Sequence, residues 1–384
     1  MQAFKIDPFE NPDWDYARNK QVLIKTPFAE FSASAFTAPV KIGENNFYGG
    51  NRDYSWQGLL AGPIKTTLYK LLDAVYFSIP EASLQPKDVL VSLDRCTYRY
   101  TWERDREVSF VIALRSLAGE ILLEASTAQP CNFVIMLDSR RAESWDEGTY
   151  VVHRSGSALI IRPSAIGLQM AVEGFTKIEL IKLELDWTYK LGDGFRRIDG
   201  GLVRFITHRR RIHVPAIFFC PNGLLRVRIP IPLRIPAETI RPIDFDQLKI
   251  GSGPLAEAVR LRLKALSSYS IPNDDTWFPE AGSWWFRKAW TRDALEGLRW
   301  NIKTYLEIFS WKPRVNSLVN YLLDMLRSLR GLPISIGSDE FASDAPPQLL
   351  NVSCMAADIL KSHELLSKSV GAAQLVAEEF LRGA

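Results

Sequence analysis

From Cys96 to Trp102 the chain alternates: Cys96, Tyr98, Tyr100 and Trp102 fall on one side, Thr97, Arg99 and Thr101 on the other. A period of two predicts a half-buried β-strand. The stretch FTKIELIKLELDW repeats it, with Ile178, Leu180, Leu183 and Leu185 set between Lys177, Glu179, Lys182 and Glu184, and one slip of phase near Ile181. VSFVIALRS, NFVIMLD, SALIIRP, AIFFC and LLRVRIPI are further short runs rich in β-branched or aromatic residues, and PNG and GDG read as turns between strands. Many short strands punctuated by turns predict an antiparallel sandwich. Within this part, PIKTTLYKLLDAVYF spaces Leu68, Leu71, Leu72 and Val75 as on a helix and predicts one helical turn.

IRPIDFDQLKIGSGP breaks the rhythm, and after Pro254 the period is helical. Leu255, Val259, Arg262 and Leu266 predict a first helix, with Pro254 at a first-turn position where its missing N–H costs nothing. Leu295, Leu298, Ile302, Tyr305 and Phe309 predict a second. Val315, Leu318, Leu322, Leu326 and Leu329 predict a third, closed by Gly331 and Pro333. Leu349, Val352, Ala356 and Ile359 predict a fourth, and Ala373 to Leu381 a fifth. The expected organisation is a β-sandwich domain over 1–245 and an α-helical domain over 246–384.

The 47 basic and 44 acidic side chains nearly cancel, which gives no reason to expect a nucleic-acid or membrane partner. The N-terminal stretch has no apolar core of a signal peptide, and no run approaches the roughly 18 apolar residues of a membrane span. A cytoplasmic enzyme or binding protein is therefore expected. Cys96, Cys131, Cys220 and Cys354 are far apart, as are His153, His208, His213 and His363. No metal-ligand spacing emerges, and buried reduced thiols are expected, with no metal and no cofactor.

Candidate chemistry gathers in WFPEAGSWWFRKAWTRDALEGLRW, where Trp277, Trp284, Trp285, Trp290 and Trp300 surround Arg292 and Asp293. Indole faces stack on sugar C–H surfaces, while an Arg–Asp couple forks to hydroxyls. Short-looped helices alternate in direction, so the second and fourth begin on one side of the domain. WTRD begins the second and FASDAPP the fourth; Pro346 and Pro347 are tolerated only in a first turn, which places Asp344 near the N-cap. Two acids distant in sequence are thereby expected at one rim. Helix capping by either Asp is the competing reading, as is a surface ion pair between Arg292 and Asp293.

These residues carry a resemblance. WTRDAL resembles the signature of glucoamylase-type glycoside hydrolases, whose catalytic domain is an (α/α)6 barrel. The longer run is similar to the opening of the amylo-α-1,6-glucosidase domain of glycogen debranching enzymes. GLPISIGSDEFASDAPPQLLNVSCMAADIL resembles a second segment of that family, in which a Ser- or Arg-Asp-Ala step precedes an inner helix. The resemblance is one of motifs over about 277–360 and of architecture over 1–250. It implies an inverting glycosidase acting on α-glucan (glycogen, limit dextrin or maltooligosaccharide). Arg292 and Asp293 would hold hydroxyls of the terminal glucose, Trp290 and Trp285 would line its pocket, and Asp344 would match the general acid. A six-hairpin barrel has twelve helices and carries its general base late, whereas five helices are predicted here. The resemblance therefore implies an incomplete barrel, with the base supplied by a downstream segment or a second chain.

Two rivals stand beside this reading: a glucoamylase- or trehalase-like α-glucosidase, and a non-catalytic glucan-binding or assembly subunit. THRRRIHVP, from Thr207 to Pro215, reads as a solvated strand edge. NNFYGGNRDYSWQG reads as a hairpin loop, with Tyr54 or Trp56 as candidate glucan contacts.

Overall fold

The computed structural model describes residues 4–6, 21–26, 28–34, 58–64, 67–80, 82, 84–92, 94–102, 106–117, 119–142, 149–180, 183–198, 201–231, 250–273, 276–282, 287 and 289–382. The chain forms two compact units, Met1–Ile235 and Pro236–Ala384. The first holds the strands β1 (Phe4–Ile6), β2 (Gln21–Thr26), β3 (Ala29–Ser34), β4 (Gly58–Ile64), β5 (Thr67–Ser78), β6 (Leu84–Val91), β7 (Arg95–Trp102), β8 (Arg106–Leu117) and β9 (Glu120–Thr127). It continues through β10 (Cys131–Arg141), β11 (Tyr150–Ser155), β12 (Ala158–Pro163), β13 (Met170–Glu173), β14 (Lys177–Leu180), β15 (Leu183–Ile198), β16 (Gly201–Cys220) and β17 (Leu224–Pro230).

These make two antiparallel sheets. One is nine-stranded in the order β1-β6-β7-β8-β9-β17-β13-β12-β11; the other is eight-stranded in the order β14-β16-β10-β5-β4-β3-β2, with β15 on β16. Their inner faces interlock through aromatic rings. Phe77 of β5 lies 4.6 Å from Phe110 of β8 and 5.2 Å from Tyr100 of β7, and Phe110 reaches Phe133 of β10 at 6.0 Å. The unit is the antiparallel β-sandwich expected from the alternating pattern.

Two local expectations are corrected here. The stretch from Leu68 to Val75 is strand β5, between β4 and β10. Residues Leu71 to Phe77 are buried on both faces, so no polar positions mark a period of two, and the apolar spacing imitates a helix. GDG is not a turn: Gly192 and Gly194 lie inside β15 and pair with Thr207 and Phe205 of β16, with a register shift between Lys190 and Gly192. A glycine inside a strand marks such an irregularity as readily as a turn. The phase slip near Ile181 lies outside the described residues. THRRRIHVP lies within β16, where Arg209, Arg210 and Arg211 face Tyr189, Thr188 and Trp187 of β15 in register. The stretch 46–57 lies outside the described residues.

The second unit contains α1 (Pro254–Ser268), the hairpin β18 (Ser270–Asn273) and β19 (Thr276–Pro279), α2 (Thr291–Lys303), α3 (Lys312–Leu329), α4 (Ala345–Leu360) and α5 (His363–Leu381). Helix α2 runs on into a π-helical turn over Thr304–Ile308. That turn keeps Tyr305 and Phe309 both inward, where Tyr305 stacks on Trp311 at 5.6 Å and Trp277 meets both Tyr305 and Trp311 edge-on at 5.2 Å. The core is lined by Leu295, Leu298 and Ile302 of α2, Val315, Leu318 and Leu322 of α3, and Leu349, Val352 and Ala356 of α4.

In α1 the buried residues are Ala256 and Leu263, while Leu255 is 79% exposed and Val259 lies at the surface. Of the expected apolar face only Leu266 packs against the core, because the tertiary partner selects which side of a weakly patterned helix is covered. Helix α3 stops on Arg330 in the left-handed region, φ 58°, one residue before Gly331. Helix α5 starts ahead of the expected Ala373: the Ser362 hydroxyl accepts from the Leu365 N–H and caps it at His363.

Helices α3 and α5 run parallel. Lys368 Nζ donates to Asn320 Oδ1 at 2.7 Å, Arg327 donates to the Lys368 carbonyl at 3.0 Å, and Arg330 bonds Glu379 further along both. The short connection from Leu360 to His363 makes α4 and α5 an antiparallel hairpin. Beyond α1 and the β-hairpin, the described part of the unit is therefore two helical hairpins laid in the same sense, α2–α3 and α4–α5.

Candidate functional site: a charged rim at two helix starts

The site is built where α2 and α4 begin. Their first turns are brought together by a small backbone ladder in the connections. The Thr291 N–H donates to the Ile334 carbonyl at 3.0 Å, and the Ile336 N–H to the Ala289 carbonyl at 3.0 Å. The Ile334 N–H donates to the Glu340 carbonyl at 2.7 Å, and the Ala342 N–H to the Leu332 carbonyl at 2.8 Å. Trp290 faces Ser335, and Pro333 faces Phe341. Gly337, at φ 85°, makes the turn between the two arms, a conformation other residues rarely adopt. The alternation of Ile334 and Ile336 around Ser335, ahead of the GSD turn, is the sequence signal for this ladder.

Across this junction Arg292 Nη1 lies 4.0 Å from Asp344 Oδ2, with the two side chains 59% and 52% exposed. Asp344 occupies the N-cap position of α4, yet its side chain makes no capping hydrogen bond. Capping therefore does not explain it: its carboxylate faces Arg292. The pairing of Arg292 with Asp293 is not what the rim contains either, since among the described residues the ion pair of Arg292 is with Asp344. Asp293 stands in the first turn of α2, half-buried. An exposed pair at this distance adds almost nothing to stability. Both groups are open to exchange their mutual attraction for a ligand's hydroxyls.

Trp290 precedes α2 and is half-buried; its Nε1–H is buried without a hydrogen-bond partner among the described residues. The other indoles separate from it. Trp277 is a core residue, 3% exposed. Trp300 lies two to three turns along α2, 76% exposed, and donates from Nε1 to Glu296 at 3.0 Å. The idea that the whole tryptophan run lines one surface is thus corrected: the run divides among core, helix flank and rim. Trp284 and Trp285 lie outside the described residues.

One buried feature escaped the sequence reading. Arg287 and Glu280, wholly buried, form an ion pair, with Nε donating to Oε1 at 3.2 Å and Nη2 lying 3.1 Å from the same oxygen. Nothing in the sequence distinguishes these charges from surface ones.

No family model matches the chain, and no curated protein matches it. In fold it is similar to a bacterial glucoamylase complexed with acarbose (10% identity, TM-score 0.47), covering 91% of this chain and 61% of that one. It is also similar to a human-microbiome protein assigned as a kojibiose phosphorylase (10% identity, TM-score 0.44, covering 94% and 56%). A third likeness is to a GH92-family glycosyl hydrolase (11% identity, TM-score 0.35, covering 94% and 54%). The chain thus spans less than two thirds of each of these structures. These are likenesses of fold, and the functional reading rests on the rim's own residues.

Proposed function

We propose that this chain supplies the glucose-binding rim and the acid of an inverting glycoside hydrolase of the amylo-α-1,6-glucosidase kind, acting on α-glucan. The observation that carries the reading is the Arg292–Asp344 juxtaposition at 4.0 Å, built from two helix starts and largely open to solvent. The resemblance of WTRDAL and its aromatic frame supports it. Arg292 offers a planar fork of N–H donors to a pair of hydroxyls, Asp293 accepts from them, and Trp290 gives the ring a flat apolar wall. These groups position the sugar. In the reaction the carboxylic acid form of Asp344 gives its proton to the glycosidic oxygen as the bond to the anomeric carbon breaks, and is left as the carboxylate that pairs with Arg292. A second carboxylate, about 6.5–9.5 Å away, takes a proton from the water that attacks the opposite face. We place that base on a further segment or a second chain.

The test is calorimetric titration with acarbose, maltotriose and isomaltotriose, followed by assay of glucose release from glycogen limit dextrin. Saturable binding is expected, weakened about tenfold or more by Arg292→Lys, because one charge-assisted hydrogen bond is worth about 1.5–3 kcal/mol. Wild-type affinity in Arg292→Lys, or no saturable binding of any α-glucoside, would sink the reading. Preference for isomaltotriose separates a debranching activity from a glucoamylase-like one. Binding without glucose release, even with a completing chain added, assigns the chain as a glucan-binding subunit.

A further inference from the structure

Cys131 opens β10 and Cys220 closes β16, and the two stand directly opposite each other across this antiparallel pair. Opposed residues of such a pair point to the same face of the sheet. Here that face is the inner one. Two residues along each strand Phe133 and Phe218 are again opposed, and Phe133 reaches Phe110 of the other sheet at 6.0 Å. Both cysteines are buried, and both thiols are free. Burial pushes the Cys131 thiol up, and the Cys220 thiol beside it adds to the rise. The other two cysteines are elsewhere: Cys96 is on β7 of the nine-stranded sheet, opposite Val91 and Ile112, and Cys354 is on α4.

Backbone spacing puts a bond between the two within reach. Opposed residues of an antiparallel pair have Cα atoms about 4.5 or 5.5 Å apart. A disulfide spans Cα separations of about 4.4–6.8 Å. Side-chain rotation alone therefore brings the sulfurs together, and the sheet keeps its register. Both positions are at strand ends beside turns: Pro130 precedes Cys131, Pro221 and Asn222 follow Cys220, and Pro130 and Asn222 are exposed. Local opening of these turns gives slow access that the middle of either strand lacks. The bond would also fasten a long excursion. Between the two cysteines the chain leaves the eight-stranded sheet for β11, β12 and β13 of the nine-stranded one and returns through β14 and β15. Closing so long a loop restricts the unfolded chain most.

We infer that Cys131 and Cys220 are a redox-sensitive pair, which a small disulfide of the glutathione type converts to a cross-strand disulfide fastening β10 to β16. One cysteine attacks oxidised glutathione, forms a mixed disulfide and releases one glutathione thiol. The other cysteine attacks the protein sulfur of that bond and releases the second. Two protein thiols become one disulfide, one glutathione disulfide becomes two glutathione thiols, and both protons end on glutathione. This inference is independent of the glucan reading.

The test uses the full chain carrying Cys354→Ser, which leaves three thiols. The reduced protein is held for days in oxidised glutathione, with urea below the unfolding transition, and its free thiols are then counted in denaturant. The count is expected to fall from three to one. Proteolysis and mass spectrometry should recover one peptide pair, joined through Cys131 and Cys220. The thermal midpoint should rise by several degrees and fall back on reduction. Cys131→Ala in the same background should give neither the joined peptides nor the rise. Three free thiols at the end of the incubation overturn the proposal. So does a bridge through Cys96, glutathione retained on either cysteine in place of the bridge, or a bridged protein that melts no higher than the reduced one.

Discussion

Asp344 and Ser362 stand at comparable places, each at the N-cap of a helix, and do different things. The Ser362 hydroxyl accepts from the Leu365 N–H at 3.2 Å, whereas the Asp344 carboxylate turns across the rim to Arg292. Ser362→Ala is expected to cost about 1 kcal/mol, the usual worth of a cap. Asp344→Asn is expected to change stability by less than about 0.5 kcal/mol. Urea unfolding of the two variants checks the contrast, and a large loss in Asp344→Asn would return that residue to a structural role. The Glu280–Arg287 pair is the opposite case. Both side chains are wholly buried, so Arg287→Ala takes one cation from a buried carboxylate, at a cost of about 3–5 kcal/mol in the same measurement. The sequence places Arg292, Asp293 and Asp344 at helix starts because residue type and helix-start position are local properties. It missed this pair because burial is not.

At the scale of elements, periodicity was readable wherever one face of an element is covered. Strand β7 and helices α2 to α4 have one covered face, and the pattern placed them. Strand β5 is covered on both faces, so its polar register vanished and its apolar spacing read as helical. Glycines divide by the same logic. GDG sits in a strand, but Gly223 of PNG does make the turn between β16 and β17, at φ 59°, where an added Cβ would stand 2.2 Å from the Thr127 carbonyl oxygen. Gly223→Ala therefore meets both strain and collision. It is expected to lower stability by more than about 1 kcal/mol, read as a fall in the thermal midpoint of the β-unit. A neutral result would mean that the hairpin reshapes around the new side chain.

At the scale of the molecule, the cysteines separate into two groups. Cys96, Cys131 and Cys220 are buried in the sandwich, as the composition led us to expect, but Cys354 is exposed on α4. In the native protein a thiol reagent should label Cys354 alone, and all four in denaturant. Burial pushes Cys96 and Cys220 up to about 12 from a thiol's ordinary 9.0, and pushes Cys131 up as well, with Cys220 opposite it adding to the effect. The sign for stability follows: as pH rises past 9.0 the unfolded chain sheds these protons while the folded chain keeps them. Stability should hold below that value and fall between it and about 12, by up to about 1.4 kcal/mol per pH unit for each thiol. Alkaline denaturation compared between wild type and Cys96→Ala measures the share of one thiol.

By itself the sequence determined the two-part architecture, the order of the described helices of the second part, and the residue types at two helix starts, because these are set by periodicity and by the chemistry of first turns. Tertiary structure alone decided that Arg292 faces Asp344 instead of Asp293, that Trp277 joins the core while Trp290 stays at the rim, that Glu280 and Arg287 meet inside, and which side of α1 and α5 lies open. Those outcomes depend on which surfaces other segments cover, and covering is a property of the packed chain that no local spacing encodes.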